Sequence, residues 1–305
     1  MNAPPLPATP APPLVLDATL PDGVTVDAAL SWAKRALRAA AVPSPALDAL
    51  LLLAATLHAS KASLLAHPER ALTGAEAGQY AAWVARRAQR VPLAYLLGTR
   101  EFYGRDFLVT PDVLVPRPET ELLIEIALDH LRGQAAPGWA ADLGTGSGAL
   151  AVTLAAERPG LRLVATDRSP AALAVAATNA ARHAVADRVS LLAADLLGGV
   201  VGPLGLVVAN LPYIPTAAID ALMPEVARHE PRLALDGGPD GLALNRRLLA
   251  EAATRLAPGG LLLLEIGNDQ GAALRAEAAR RLPGADVAVV TDLAGHDRVL
   301  RVRTS

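Results

Sequence analysis

The sequence predicts an α/β fold, a doubly wound sheet of seven strands in a three-layer domain, preceded by a small domain made only of helices. Three observations lead there. From residue 139 onward the order strand, turn, helix repeats. A glycine-rich turn, Asp142-Leu-Gly-Thr-Gly-Ser-Gly148, follows the first of those strands and opens the next helix. Residues 25 to 90, by contrast, keep a helical period and carry no strand signal.

Composition sets the outer limits. A chain of 305 residues has room for two domains, and 52% hydrophobic residues are ample for a core. Only Lys34 and Lys61 are lysines among 28 basic residues, a codon-usage bias that strips arginine abundance of functional weight. The formal net charge of -2 argues against a protein that lives on the phosphate field of nucleic acid and for a protein or small-molecule partner. The absence of cysteine excludes disulfides, thiolate metal sites and a cysteine nucleophile. The longest apolar run, Ala49 to Leu57, is far short of the ~20 residues that span a bilayer, and the N-terminus lacks the basic start of a signal peptide. The expected location is the cytoplasm, with no membrane partner.

Residues 1 to 21 carry seven prolines and few large apolar side chains, the composition of a disordered tail. The helical domain is expected over 22–90. Thr25 can cap a helix from Val26 to Ala40, Pro43-Ser-Pro45 interrupts it, and Ala46 to His58 follows. Thr73 and Glu76 form a capping-box pattern for a helix with Tyr80, Trp83 and Val84 on its buried face. Residues 91–118 change character: aromatic and apolar residues alternate, Gly98 and Gly104 mark turns, and the helical period is lost, so the stretch reads as a hairpin linker. Arg117-Pro-Glu-Thr-Glu121 then opens a helix running to Leu131, and proline with acidic residues is what any helix start prefers.

The α/β domain is expected over 119–305. Its strands are Trp139 to Leu143, Arg162 to Thr166, Val189 to Ala193, Leu204 to Ala209, Leu261 to Ile266 after a turn at Pro258-Gly-Gly260, and two last ones near Ala285 to Val290 and Arg298 to Val302. Helices cover Gly148 to Glu157, Pro170 to His183 and Gln270 to Leu282.

Two loops carry the chemistry. Glycines at 144, 146 and 148, with Thr145 and Ser147 between them, let the backbone turn tightly and approach a ligand at a helix N-terminus. The same turn also fits the lax dinucleotide pattern, so it does not identify a cofactor alone. Asp167, at the end of the next strand, is placed to accept from two ribose hydroxyls, or to cap the helix at Pro170. Asp195 ends the third strand and can hold an adenine amino group with Leu196 against the ring, or simply make a turn. Asn210-Leu-Pro-Tyr213, after the fourth strand, suits methylation of a planar nitrogen. The Asn210 side-chain oxygen and the Leu211 carbonyl can accept its two N–H protons and turn its lone pair towards a methyl donor. Pro212 holds Leu211 extended, and Tyr213 can supply an aromatic wall.

With those loops in place the chain resembles the S-adenosylmethionine-dependent amino methyltransferases, specifically the release-factor glutamine methyltransferases (the HemK/PrmC family). The likeness runs from about residue 25 to Arg303. It rests on Pro92-Leu-Ala-Tyr-Leu-Leu-Gly98 with Glu101-Phe-Tyr-Gly-Arg-Asp-Phe107, on Val115-Pro-Arg-Pro-Glu-Thr-Glu121 and on Asp142 to Gly148. It extends through Arg228-His-Glu-Pro231 with Ala234-Leu-Asp-Gly-Gly238, Leu264-Glu-Ile-Gly267 with Asp269-Gln-Gly271, and Asp292 to Arg298. The resemblance implies a Rossmann-like methyltransferase sheet and a cytoplasmic enzyme. Gly144 to Gly148, Asp167, Asp195, Leu196 and Asn210 would then hold S-adenosylmethionine, and Asn210 to Tyr213 would grip the acceptor. It also implies that Arg117, Glu119 and Thr120 rim the substrate site. The acceptor would be the glutamine of a Gly-Gly-Gln loop in class 1 peptide chain release factors, presented partly by the helical domain, with no direct nucleic-acid substrate. One position departs: the family reads Asn-Pro-Pro-Tyr where this chain has Leu211. Asn-Leu-Pro-Tyr is familiar from ribosomal RNA adenine dimethylases, which keeps an adenine-amino methyltransferase acting on RNA or DNA as the alternative.

Overall fold

The computed structural model describes residues 19–133 and 138–305, so the expected Pro-rich tail falls, up to residue 18, outside the described residues. The chain divides into two compact units, Met1–Leu97 and Gly98–Ser305. Among the described residues no helix is long and apolar enough to cross a membrane.

The first unit is helical. α1 (Val26–Ala39) starts where expected, the Thr25 hydroxyl accepting from the Ala28 amide. α2 (Pro45–Thr56) has Pro45 in its first turn, and a short α3 (Lys61–Ala66) follows, capped by Ser60. α4 (Gly74–Ala88) carries the full capping box between Thr73 and Glu76. Tyr80 is wholly buried, its hydroxyl donating to the Ala49 carbonyl at 3.0 Å and its ring meeting Trp32 edge-on at 6.3 Å. Burial with the hydroxyl satisfied by a backbone carbonyl makes this tyrosine core rather than chemistry. α5 (Leu93–Leu97) corrects the expectation that the helical period is lost from residue 91: Pro92 opens a single turn, its carbonyl accepting from Tyr95 and Leu96.

The second unit opens with a hairpin, β1 (Thr99–Phe102) and β2 (Arg105–Leu108), turning at Tyr103 and Gly104, both at positive φ. The hairpin is no loose tether. Phe102 and Phe107 meet edge-on at 6.0 Å and are buried in one cluster with Leu123 and Ile124 of α6 (Glu121–His130).

The large sheet contains β3 (Trp139–Leu143), β4 (Arg162–Asp167), β5 (Val189–Ala193), β6 (Leu204–Ala209), β7 (Leu256–Glu265), β8 (Asp286–Thr291) and β9 (Asp297–Arg303). Their order is β5-β4-β3-β6-β7-β9-β8, parallel from β5 to β7, with β9 running antiparallel to both neighbours. α7 (Ala149–Glu157), α8 (Pro170–Arg182), α10 (Ala243–Ala252) and α11 (Gly271–Arg281) interleave with the strands, and a short α9 (Pro224–His229) precedes α10. The sheet buries one apolar cluster on each face, the pattern of a three-layer domain.

Two further expectations shift. Pro258-Gly-Gly260 is not a turn before β7 but an irregularity inside it: Leu204 pairs with Leu256 and Leu206 with Leu261, so the strand bulges between them. α9 and α10 lie between Asn210 and Pro258, where no element is expected. α10 does carry a helical period, burying Asn245, Leu248, Leu249 and Ala252 on one face.

Because Phe107 is fully buried in the sheet-bearing unit, Phe107→Ala should cost roughly 3 to 5 kcal/mol of its stability. Urea denaturation followed by circular dichroism measures this; a loss near zero would return residues 99–108 to the status of a linker.

Candidate active site

The chain winds outward from β3 through β4 to β5, then returns to place β6 on the other side of β3. Loops after two strands that diverge in this way leave a crevice beyond their carboxyl ends. Here the loops are 144–148 and 210–213. They line one cleft, with about 1080 Å³ of empty space counting the solvent at its mouth.

Each glycine has its own reason. Gly144 has φ +68°, and a Cβ on it would stand 3.0 Å from Leu211 Cδ2. Gly148, at φ +81°, opens α7 where a Cβ would press on Ala176 of α8 at 3.2 Å. The first glycine therefore lets the two loops touch, and the last lets two helices pack.

Asp142 sits beneath the loop, 1% exposed. Its Oδ2 accepts from the Thr145 hydroxyl at 2.7 Å and the Ala151 amide at 3.1 Å, while Oδ1 is buried with no partner. Burial pushes its pKa up to about 6, the Thr145 and Ala151 bonds pull it back, and the Asp167 charge adds to the rise. An orphaned carboxylate oxygen on the wall of a cleft suits a ligand that brings an ammonium group.

Asp167 ends β4 half-buried. Its oxygens accept from the Gly146 amide at 2.9 Å and the Ser169 amide at 2.9 Å. It is not the cap of α8: the Ser169 hydroxyl takes that role, accepting from Ala172. The two amides fix the carboxylate at the cleft and leave it lone pairs for further donors. Leu196 lines the cleft at φ +51°, its carbonyl accepting from the buried Thr166 hydroxyl at 2.9 Å. A leucine held there by a side chain from the neighbouring strand marks a shaped wall rather than a free turn. Asp195 is exposed and pairs with Arg247 at 2.9 Å.

The loop 210–213 is held from behind. Asn210 Nδ2 donates to the Thr120 hydroxyl at 3.1 Å, which donates to Glu265 Oε2 at 2.6 Å, and the Tyr213 hydroxyl reaches Glu265 Oε1 at 3.3 Å. Gln270 donates to the Tyr213 carbonyl at 2.8 Å and accepts from Gly267. Gly237 and Gly241 come so close that a Cβ on either would clash with the backbone of the loop. The Glu265 carboxyl is pushed up by burial and pulled back by Thr120, Arg298 and Tyr213. The Tyr213 hydroxyl is pushed up by burial and by Glu265.

Gly144 to Ser147, Asp167, Asp195, Leu196, Asn210 to Pro212 and Thr120 thus share the cleft. Gly148 and Tyr213 stand behind it. Glu119 is exposed and does not line it, and Arg117 donates to both oxygens of Glu230, whose carboxyl burial pushes up against the pull of that arginine. Arg117 therefore fastens the segment before α6 to the end of α9.

Comparison with known proteins agrees over both units. A family model described as the PrmC N-terminal domain matches residues 28–98, and one described as the Methyltransferase small domain matches 119–233. The release factor glutamine methyltransferase of Moorella thermoacetica is 48% identical, over 90% of this chain and 97% of its own length. That of Cereibacter sphaeroides is 46% identical over the same shares. The chain belongs to the release factor glutamine methyltransferase family. The solved structure of the release factor-specific protein-(glutamine-N5) methyltransferase from Alicyclobacillus acidocaldarius is 32% identical, covering 65% of this chain and 99% of that one, with a TM-score of 0.41.

In this member of the release factor glutamine methyltransferase family, Glu265, Gln270 and Glu230 are structural supports of the site whose role no local motif marks. All three lie in segments that carry the resemblance, and Glu265 had a signal of its own: a lone charge ending the apolar run Leu261 to Leu264.

The buried Asp142 makes stability depend on pH. Its folded pKa near 6 lies above the ordinary 3.8, so the folded chain binds the proton more tightly and stability falls as pH rises through that window. Wild type should gain about 1 kcal/mol from this group between pH 7 and pH 5, and Asp142→Asn should lose that gain. Denaturant midpoints of both proteins at the two pH values measure it; an equal shift in both would show that Asp142 does not titrate there.

Proposed function

We propose that the enzyme transfers a methyl group from S-adenosylmethionine to the side-chain amide nitrogen of the glutamine in the Gly-Gly-Gln motif of class 1 peptide chain release factors. The observation that carries this reading is the convergence of a glycine turn and an Asn-x-Pro-Tyr loop on one cleft, in a chain of this family.

When bound, the cofactor supplies an electrophilic methyl on a sulfonium sulfur. Asp142 Oδ1 is suited to its ammonium group, Asp167 to its ribose hydroxyls, and Leu196 with Asp195 to its adenine. The chain's own work is at the acceptor. An amide nitrogen is a poor nucleophile because its lone pair is delocalised into the carbonyl. Asn210 Oδ1 and the Leu211 carbonyl each accept from one of its N–H groups, holding the lone pair towards the methyl and stabilising the positive charge that develops as the N–C bond forms; the nitrogen then gives up one of these two protons to solvent, leaving the neutral N-methyl amide. Leu211 acts through its carbonyl; its side chain is buried against Gly144, so the departure from proline fills the loop contact without blocking the cleft. Thr120 supports Asn210 from behind. We assign Arg117 to holding the cleft wall through Glu230 and leave the exposed Glu119 to the rim. The helical residues 22–90 are proposed to dock the release factor, and residues 119–305 to form the methyltransferase domain, with the buried hairpin 99–108 attached to it. The substrate is a protein rather than a nucleic acid, and the cytoplasm, where translation ends, is the site of action.

Tritiated-methyl transfer to purified release factor and to bulk RNA tests the reading, with label expected on the protein alone. Asn210→Ala should lower single-turnover methylation about 100-fold or more. Asp167→Ala should weaken cofactor binding by calorimetry, since charge-assisted hydrogen bonds are worth roughly 1.5 to 3 kcal/mol. Labelled RNA with unlabelled release factor would overturn the assignment, and an unchanged dissociation constant would remove Asp167 from the cofactor site.

A further inference from the structure

Glu265 closes β7 behind the cleft, 1% exposed, and the transfer chemistry above gives it nothing to do. Its carboxylate nevertheless sets a direction. A hydroxyl owns one hydrogen, and an ionised carboxylate owns none. With Glu265 ionised, as the facing Arg298 favours, the Thr120 hydrogen lies on the 2.6 Å contact to Glu265 Oε2, and Thr120 offers Asn210 only lone pairs. Asn210 has to answer with its NH2 group at 3.1 Å, which leaves Oδ1 for the cleft. The Tyr213 hydrogen is spent on the other Glu265 oxygen, so neither hydroxyl can reverse its role while the carboxylate is ionised.

We propose that Glu265 is a positioning residue which, through Thr120, fixes the direction of the Asn210 amide and so makes the site select an amide over a carboxylate at the acceptor position. The inference rests on the proposed function, since it concerns how that site grips glutamine. A glutamine brings N–H donors to Asn210 Oδ1. A glutamate in the same place brings only oxygen, and two acceptors meet with no hydrogen between them. A turned-over Asn210 would present NH2 instead, welcoming the carboxylate and facing the glutamine nitrogen with the wrong group.

The residue type fits this role better than a packing role. A glutamine at 265 would present either an acceptor or a donor to Thr120, and the chain would lose its sense. A leucine would fill the space without the desolvation that a buried carboxylate entails. The charged groups that face Glu265 are Arg298, itself paired with Asp292 at 3.0 Å, and Glu119.

The test uses the full chain with purified release factor and with a release-factor variant carrying glutamate at the acceptor position as competitor. Wild type should methylate the first and bind the second poorly. Glu265→Gln and Thr120→Val should keep the cofactor dissociation constant, lower kcat roughly 30- to 100-fold, and narrow the discrimination between the two proteins about tenfold or more. Thr120→Ser, which restores the hydroxyl, should recover most of what Thr120→Val loses. The cofactor titration reports whether each variant is folded, and Thr120→Val reads the same chain if Glu265→Gln is not. Both variants keeping wild-type kcat and discrimination would overturn the proposal, as would wild type binding both proteins equally. Wild type that discriminates between them but transfers no methyl group would count against the proposed function and not against the chain of hydrogen bonds.

Discussion

The site depends on one constraint of topology, the return of the chain to lay β6 beside β3. Two strands far apart in sequence become hydrogen-bonded neighbours with parallel direction, and whatever follows each must leave the sheet at the same edge. The glycine turn and the 210–213 loop are pressed together by this arrangement, so that a Cβ on Gly144 would stand only 3.0 Å from Leu211 Cδ2. Their registration comes from the sheet, a rigid element, rather than from loop sequence, so the distance between cofactor and acceptor inherits the precision of strand pairing.

Around that crevice the protein buries three carboxylates, Asp142, Glu230 and Glu265, and in each case burial is the largest influence on the proton. Of the three, Glu230 makes a close ion pair, with Arg117 at 2.7 Å, while Asp142 and Glu265 are held chiefly by hydroxyl and amide donors. Asp142 holds the glycine turn by Thr145 and Ala151, Glu230 anchors Arg117 across the cleft wall, and Glu265 gathers Thr120 and Tyr213. Ionised groups kept from water are a recurring cost of arranging polar chemistry, and their clustering at one sheet edge is what separates this region from the aliphatic clusters on either side.

Much of this was legible in the sequence because the signals were local. Strands β3, β5 and β6 occupy the residues that their apolar runs mark, and the caps at Thr25 and Thr73 act as their residue types require. What could not be read was whatever depends on a partner distant in sequence. The hairpin around Gly104 looks like a linker until Phe102 and Phe107 find α6 and Asn179 braces Leu108 from both its amide and its carbonyl. Pro258-Gly-Gly260 looks like a turn until Leu204 and Leu206 pair on either side of it. Arg117 looks like a helix start or a substrate ligand, and only folding brings it to Glu230. The resemblance pointed to the segments around Glu230, Asp236 and Gln270, but that the first holds Arg117 and the other two prop the 210–213 loop is visible only in three dimensions.

The outside support of that loop bears on how such enzymes are sorted. The carbonyl of Tyr213 is tied to Gln270, Ile214 is tied to Leu235 and Gly237, and two glycines lie flush against the backbone between them. A tetrapeptide clamped in this way does not need to carry its own conformation, so proline or leucine at its second place can serve the same geometry. Its letters then say little about which macromolecule is modified. The conformation of the loop is instead held by residues 235–241 and 264–270, whatever stands between the asparagine and Pro212.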